Sequence, residues 1–311
     1  MRLNIKAILL AVFIFQSVFA QAQKQVAITI DDVPNTKKFQ QDRFKAQLLK
    51  KLDSMQLPVA IFINEGKIYA TDSVSKNFQL LNDWAKREYI TLGNHTFSHP
   101  RYSDVGFDAF MSDIDKGESI TRELAKKLGK PLKHFRFPFN DLGKDSLQRK
   151  ETENYLAQKD YQITPFTIES TDWAFDIAYE YYLAKGDKAN AKIIGEKYVS
   201  KTIEIFDFFE AQSELQFHRQ ISQIYLCHDN SLNADYLPKI IRLLKAKKFT
   251  FISLDEALKD KVYQQKNNYQ KKWGISWFYR WMTSQGEITR VMKKEPNNEE
   301  IEKLYPTLIK P

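Results

Sequence analysis

Cysteine is nearly absent: Cys227 is the single one in 311 residues, which excludes an intramolecular disulfide framework and any cysteine-rich zinc module. Glycine and proline are sparse, ten of each, and exclude collagen-like and low-complexity segments. Only five histidines occur, so the places where they fall carry weight. Past the N-terminal segment no run is apolar and long enough to span a bilayer. What is present argues against wholesale disorder, because 43% hydrophobic and 14% aromatic residues can fill a substantial core. Lys and Arg (47) exceed Asp and Glu (39), for a formal charge of +8. That excess is spread along the chain and reads as solvated surface. No Lys/Arg cluster is interleaved with aromatics, so a nucleic-acid partner is not expected.

The chain starts with an address. Arg2 and Lys6 form a short basic start, residues 7–15 are uninterruptedly apolar, and Val18-Phe19-Ala20 ends the segment with the small residue a signal peptidase needs. Residues 1–20 are therefore expected to be a signal peptide, with Ala20-Gln21-Ala22 a second cutting point. The remaining chain is expected to be exported, periplasmic or secreted, with no transmembrane span.

Beyond it, β-rich runs at 26–30, 58–63, 88–92, 134–137, 163–168, 224–227 and 249–252 alternate with stretches of helical period at 39–55, 104–128 and 233–247. Gly129 fits a C-cap for the second helix. Such alternation predicts an α/β fold, a distorted (β/α) barrel of about seven parallel strands, with a flat doubly wound sheet as the rival. Two segments break the pattern. Residues 175–220 read as a helical insertion, and 263–311 as a helical C-terminal extension beyond a main domain at 21–262. The extension carries Trp273, Trp277 and Trp281 at helical spacing, expected to pack a terminal helix, with sugar stacking or membrane contact as the other readings.

Polar clusters follow the strand-like runs, where a β/α barrel gathers its chemistry. Asp31 and Asp32 are adjacent at the end of the first, so each needs a counter-charge or metal to stay ionised. His95 and His99, four apart, follow the third. With Asp32 they make a three-ligand set that leaves positions open, the pattern of a catalytic metal. Arg136 ends the fourth run and can hold a carboxylate by a bidentate pair. Asp172 and Trp173 follow the fifth. Leu226 and His228 share one face of the next strand, with Cys227 pointing outward as a core thiol. A carboxylate such as Asp172 could orient His228 and raise its pKa, as a general acid requires. His134 and His218 have no expected role.

In that order, Ile28-Thr29-Ile30-Asp31-Asp32, His95-Thr96-Phe97-Ser98-His99, Arg136-Phe137-Pro138-Phe139, Asp172-Trp173 and Leu226-Cys227-His228-Asp229 resemble the five motifs of the polysaccharide deacetylases (NodB-homology domain, carbohydrate esterase family 4). The resemblance covers roughly residues 26–258. It implies metal-dependent removal of N- or O-acetyl groups from an acetylated glycan by an activated water. Asp31 would be the general base, oriented by Arg136, and Asp32, His95 and His99 would hold one divalent ion, zinc first, with cobalt, nickel or manganese as alternatives. Asp172 would tune His228 as general acid. The Phe139 N–H would face the oxyanion, Leu226 the acetyl group, and Trp173 would join them in substrate binding. Val33, Phe139 and Asn140 depart from the Gly, Tyr and Gly usual at those places. The competing functions are hydrolysis of a non-sugar amide or cyclic imide on the same fold, and an inactive carbohydrate-binding protein. The insertion, leaving after Trp173 and returning before the His228 strand, is expected to border the substrate groove.

Overall fold

The computed structural model describes residues 23–308, and the leader expected at 1–20 lies outside them. Its centre is a parallel half-barrel built from β1 (Gln25–Val33), β2 (Val59–Ile63), β3 (Ile90–Asn94), β4 (Leu132–Phe135), β5 (Gln162–Ile163), β6 (Ile168–Glu169) and β7 (Ser222–His228), with a short β8 (Thr250–Phe251). The order across it is β5-β4-β3-β2-β1-β7-β6, and β8 pairs with the start of β1. Strands covered on both faces lose polar alternation; β2 reads Val-Ala-Ile-Phe-Ile and is buried throughout. Val26, Ile28 and Ile30 of β1 belong to the large core shared with the helices. On the other face, Ala27, Ala60, Phe62 and Ile224 pack with Leu254 and Ala257 into a smaller plug.

The 163–168 run, expected as one strand, is divided. Thr164 N–H still donates to Phe135 O on the β4 side (2.7 Å), while Thr167 N–H donates to Ile224 O on the β7 side (2.9 Å). Between them Pro165 has no N–H to give a ladder. The chain thus carries one sheet edge across to the other, joining the half-barrel along the backbone instead of by strand pairing.

The helix expected at 233–247 is one helix, Ser231–Ala246. Two others are broken. That at 39–55 becomes Thr36–Gln41 and Gln47–Met55, separated where Arg43 and Phe44 take φ of 55° and 61°. The 104–128 stretch becomes Tyr102–Val105, Phe107–Lys116 and Ser119–Lys127. Gly117 marks the second break because the chain passes against Thr96: a Cβ there would lie 2.4 Å from the Thr96 carbonyl carbon. Gly129, at φ +65°, follows the last of these helices in left-handed conformation.

The segment 175–220 is helical, within Asp172–Ala184 and Lys188–Phe217, but its long helix does not border the groove. Its buried stripe, including Ile194, Tyr198, Ile205, Phe206 and Phe209, packs on the outer face of β7, where Phe206 meets the Tyr225 ring at 5.3 Å. Burying that stripe wins over exposing it. Only Asp176 and Ile177 of the segment line the cleft. The tryptophan stripe is also split. Only Trp277–Trp281 is helical, with Trp277 and Trp281 buried, while Trp273 precedes it and is 58% exposed. Among the described residues no helix is long and apolar enough to cross a membrane.

Candidate active site

At the C-terminal end of β1 the register slips between Ile30 and Val33, and Asp32 takes φ 67°. Strand residues otherwise alternate between faces, so this irregularity is what lets neighbouring Asp31 and Asp32 both reach one cleft. Asp32, His95 and His99 offer ligand atoms all within 4.8 Å of one another. His95 Nδ1 lies 2.7 Å from the Arg136 carbonyl oxygen, to which its N–H donates, leaving Nε2 as the free lone pair turned to the cleft. Burial pushes the His95 imidazole down, and burial with the neighbouring His95 takes His99 down to about 4. Both are neutral at pH 7, as ligands must be. Burial opposes ionisation of Asp32, yet the Lys67 ammonium, at 3.2 Å, holds its carboxyl well below the usual range. Its Oδ1 is buried without a hydrogen-bond partner. An ionised carboxylate with an orphaned oxygen beside two neutral imidazoles fits a divalent cation.

The loop carrying the histidines is fixed from three sides. Asp113 accepts from Phe97 N–H (3.1 Å), Ser98 N–H (2.9 Å) and Ser98 Oγ (2.7 Å). Asn94 Oδ1 accepts from Thr96 N–H at 2.7 Å, and Asn64 donates to the His95 carbonyl. Thr96 and His99 sit at φ of 66° and 59°, a conformation that side-chain-bearing residues keep only when their surroundings impose it.

Arg136 is fully buried. One guanidinium nitrogen donates to Asp31 Oδ1 (2.8 Å) and Thr29 Oγ1 (2.7 Å), the other to Pro165 O (3.0 Å), and the group lies 4.2 Å from the Phe62 ring. Asp31 Oδ2 is 3.7 Å from His95 Nε2, so this carboxylate stands between the guanidinium and the ligand set.

On the opposite side Asp172 is wholly buried and accepts from His228 Nδ1 (2.7 Å), His228 N–H (2.8 Å), Asn230 (3.0 Å) and Asn233 (2.6 Å). Burial works against a charged His228, but Asp172 outweighs it and raises the imidazole to about 10. Cys227 is buried and bonds toward the Thr29 carbonyl at 3.6 Å. Among the described residues the His134 side chain meets only Asp255, at 3.0 Å.

These groups share a cleft of about 640 Å³, which Leu226, Phe139 and Trp173 also line. Every residue singled out for the site, except the buried Arg136 and Asp172 behind it, faces that space. Phe139 and Asn140 hold φ of 57° and 50°. The Phe139 ring meets His99 at 4.5 Å and Arg101 at 4.2 Å. Sequence reading missed Lys67, Asn64 and Asp113, and also Glu169, which burial and Asp172 raise to about 7. It held sugar stacking by Trp273 only as a secondary reading of the tryptophan stripe, and it missed Gly274 as a wall residue. None of these sits in a motif, and only tertiary approach brings them in.

Residues 20–170 match the family model described as polysaccharide deacetylase. A peptidoglycan-N-acetylglucosamine deacetylase of Bacillus cereus is 25% identical over 152 residues, 48% of this chain and 46% of that protein. The chain thus spans a little under half the length of the curated relative it matches. A CE4 family pseudoenzyme from Bacillus anthracis superposes with a TM-score of 0.50 at 14% identity, covering 76% of this chain and 66% of that one. A mutant CE4 family pseudoenzyme with restored enzymatic activity gives 0.50 at 15%, covering 76% and 68%. Those two likenesses concern the fold alone.

Proposed function

The chain belongs to the polysaccharide deacetylase family, and on that premise we propose that it is an exported, metal-dependent hydrolase removing N- or O-linked acetyl groups from a polysaccharide or oligosaccharide. The observation that carries this reading is the joint presence, in one cleft, of the Asp32–His95–His99 set, an Arg136-held carboxylate and an Asp172-held imidazole. An inactive sugar binder has no use for all three.

A divalent ion held by Asp32, His95 and His99, zinc by the ligand types and cobalt, nickel or manganese otherwise, supplies a Lewis acid and lowers the pKa of a nearby water. Asp31 accepts the proton of the attacking water, and the Arg136 guanidinium, bonded to its Oδ1 at 2.8 Å, holds that carboxylate in place. His228, held protonated by Asp172, gives its proton to the leaving nitrogen or oxygen. The Phe139 N–H is assigned to the developing oxyanion. Leu226 is assigned to the acetyl methyl and Trp173 to the sugar.

The test is acetate release from a panel of acetylated glycans: peptidoglycan, chitin oligomers and acetylated xylan. Release from at least one, abolished by His228→Ala, is expected. Release from none, with hydrolysis of a small amide or cyclic imide instead, would replace this reading.

A further inference from the structure

We propose that Trp273, delivered by the C-terminal extension, is a specificity-determining residue: a platform on which a pyranose ring of the glycan chain stacks beside the acetylated unit. This rests on the glycan deacetylase reading and deepens it. Trp273 lies in the C-terminal extension, beyond the stretch of the chain that carries the five motifs.

Three observations converge. Trp273 is 58% exposed and lines the cleft that holds Asp31 and His228. An exposed indole at that cleft offers a flat apolar face to whatever enters it. Second, its backbone is over-determined. Gly274 lies so close to the Phe139 carbonyl that a Cβ would come within 2.0 Å of the oxygen. One nitrogen of Arg280 donates to both Trp273 O and Asn140 O at 3.0 Å, and Nε donates to Ile275 O at 3.1 Å. Two further bonds tie the extension across the sheet opening, Ser276 Oγ to Thr167 O (2.6 Å) and Trp277 N–H to Phe166 O (3.0 Å).

Third, the clamp itself is expensive. Arg280 is fully buried between the Tyr269 and Trp277 rings, at 5.1 and 4.7 Å. Among the described residues no carboxylate pairs with it within 4.0 Å. A buried guanidinium serving only carbonyls and rings is a poor way to gain stability. It is a good way to fix Trp273 against the Phe139–Asn140 turn. Sugar rings present flat C–H faces and are recognised by rigid aromatic surfaces with few rotamers to freeze. Phe139, 46% exposed, and Trp173, 42% exposed, face the same space, so the cleft can hold more than one ring.

The experiment compares wild type, Trp273→Ala and Trp273→Phe as full-length, metal-loaded protein. The probes are the N-acetylglucosamine tetramer, acetylated xylotetraose and the matching single sugars. Binding is followed by calorimetry and turnover by acetate release. Trp273→Ala should raise KM and Kd for the preferred tetramer about tenfold, leaving kcat and single-sugar turnover within about twofold, and Trp273→Phe should restore part of the affinity. Equal tetramer affinity in wild type and Trp273→Ala would overturn the proposal while leaving the deacetylase reading intact. Tetramer binding that depends on Trp273 without acetate release would sustain the platform and remove the chemistry. Absence of tetramer binding by wild type would overturn the platform, and the deacetylase reading with it only if peptidoglycan too yields no acetate.

Discussion

Replacing Asp172 by Asn tests how the buried pair behind the cleft works. Three donors, His228 N–H, Asn230 and Asn233, converge on Oδ2, and His228 Nδ1 faces Oδ1. The Asn side chain keeps its oxygen toward the three donors and turns its NH2 to Nδ1. His228 then becomes a neutral imidazole, a far weaker acid. Taking about 10 for the folded chain and about 6.5 unfolded, the pair contributes up to about 4 kcal/mol at pH 7 in the metal-free protein. His228 is 22% exposed, and screening trims the expected loss to about 2–4 kcal/mol. Because the folded pKa is raised, this contribution is complete below pH 6.5 and is lost as pH climbs through 10. In Asp172→Asn the order reverses: below about pH 6.5 the unfolded chain takes up a proton the folded one refuses, costing up to about 1.4 kcal/mol per pH unit. Urea denaturation of both chelated proteins from pH 5 to 10 reads the difference, and single-turnover acetate release should fall about 10²–10⁴-fold. Equal midpoints across that range, or an unaltered rate, would refute the reasoning.

Arg136→Lys keeps a charge but cannot reach Thr29, Asp31 and Pro165 together; metal content should stay near one per chain while kcat drops roughly tenfold or more, measured by plasma emission and acetate assay. Gly117→Ala should weaken metal binding and lower the melting temperature by several degrees, because its Cβ would collide with the Thr96 backbone. Gly286→Ala, with only Ser284 Oγ at 3.7 Å, is the matched control and should be neutral. His228→Ala should retain the metal and lose turnover, since His228 is outside the ligand set; dialysis followed by metal analysis separates those outcomes.

Much of the site was legible because its residues end short β-rich runs. Asp31 and Asp32 close β1, Arg136 follows β4 and His228 ends β7, and parallel strands aim their ends at one place. What stayed hidden depends on contacts between distant segments. Gly117 looked like an ordinary point in a long helix, and only its approach to Thr96 explains the break. Lys67 sits in a short 3₁₀ helix, Glu65–Tyr69, and gains meaning only from its 3.2 Å approach to Asp32. The aromatic 175–220 segment advertised a groove wall, yet periodicity cannot tell which surface a stripe packs on, and the stripe chose the outer face of β7. The spacing of Trp273, Trp277 and Trp281 fitted a helix, but Gly274 must lie flat on the Phe139 carbonyl and keeps Trp273 out of it.

The central claim is that catalysis runs through a metal held by Asp32, His95 and His99. Its most direct test is stoichiometric reconstitution: the chelated protein is titrated with zinc while acetate release from its preferred acetylated glycan is followed. Activity should be absent at the start, rise linearly and saturate at one equivalent per chain, with His95→Ala inactive throughout. Full acetate release from protein shown by analysis to be metal-free, or from His95→Ala, would contradict the account.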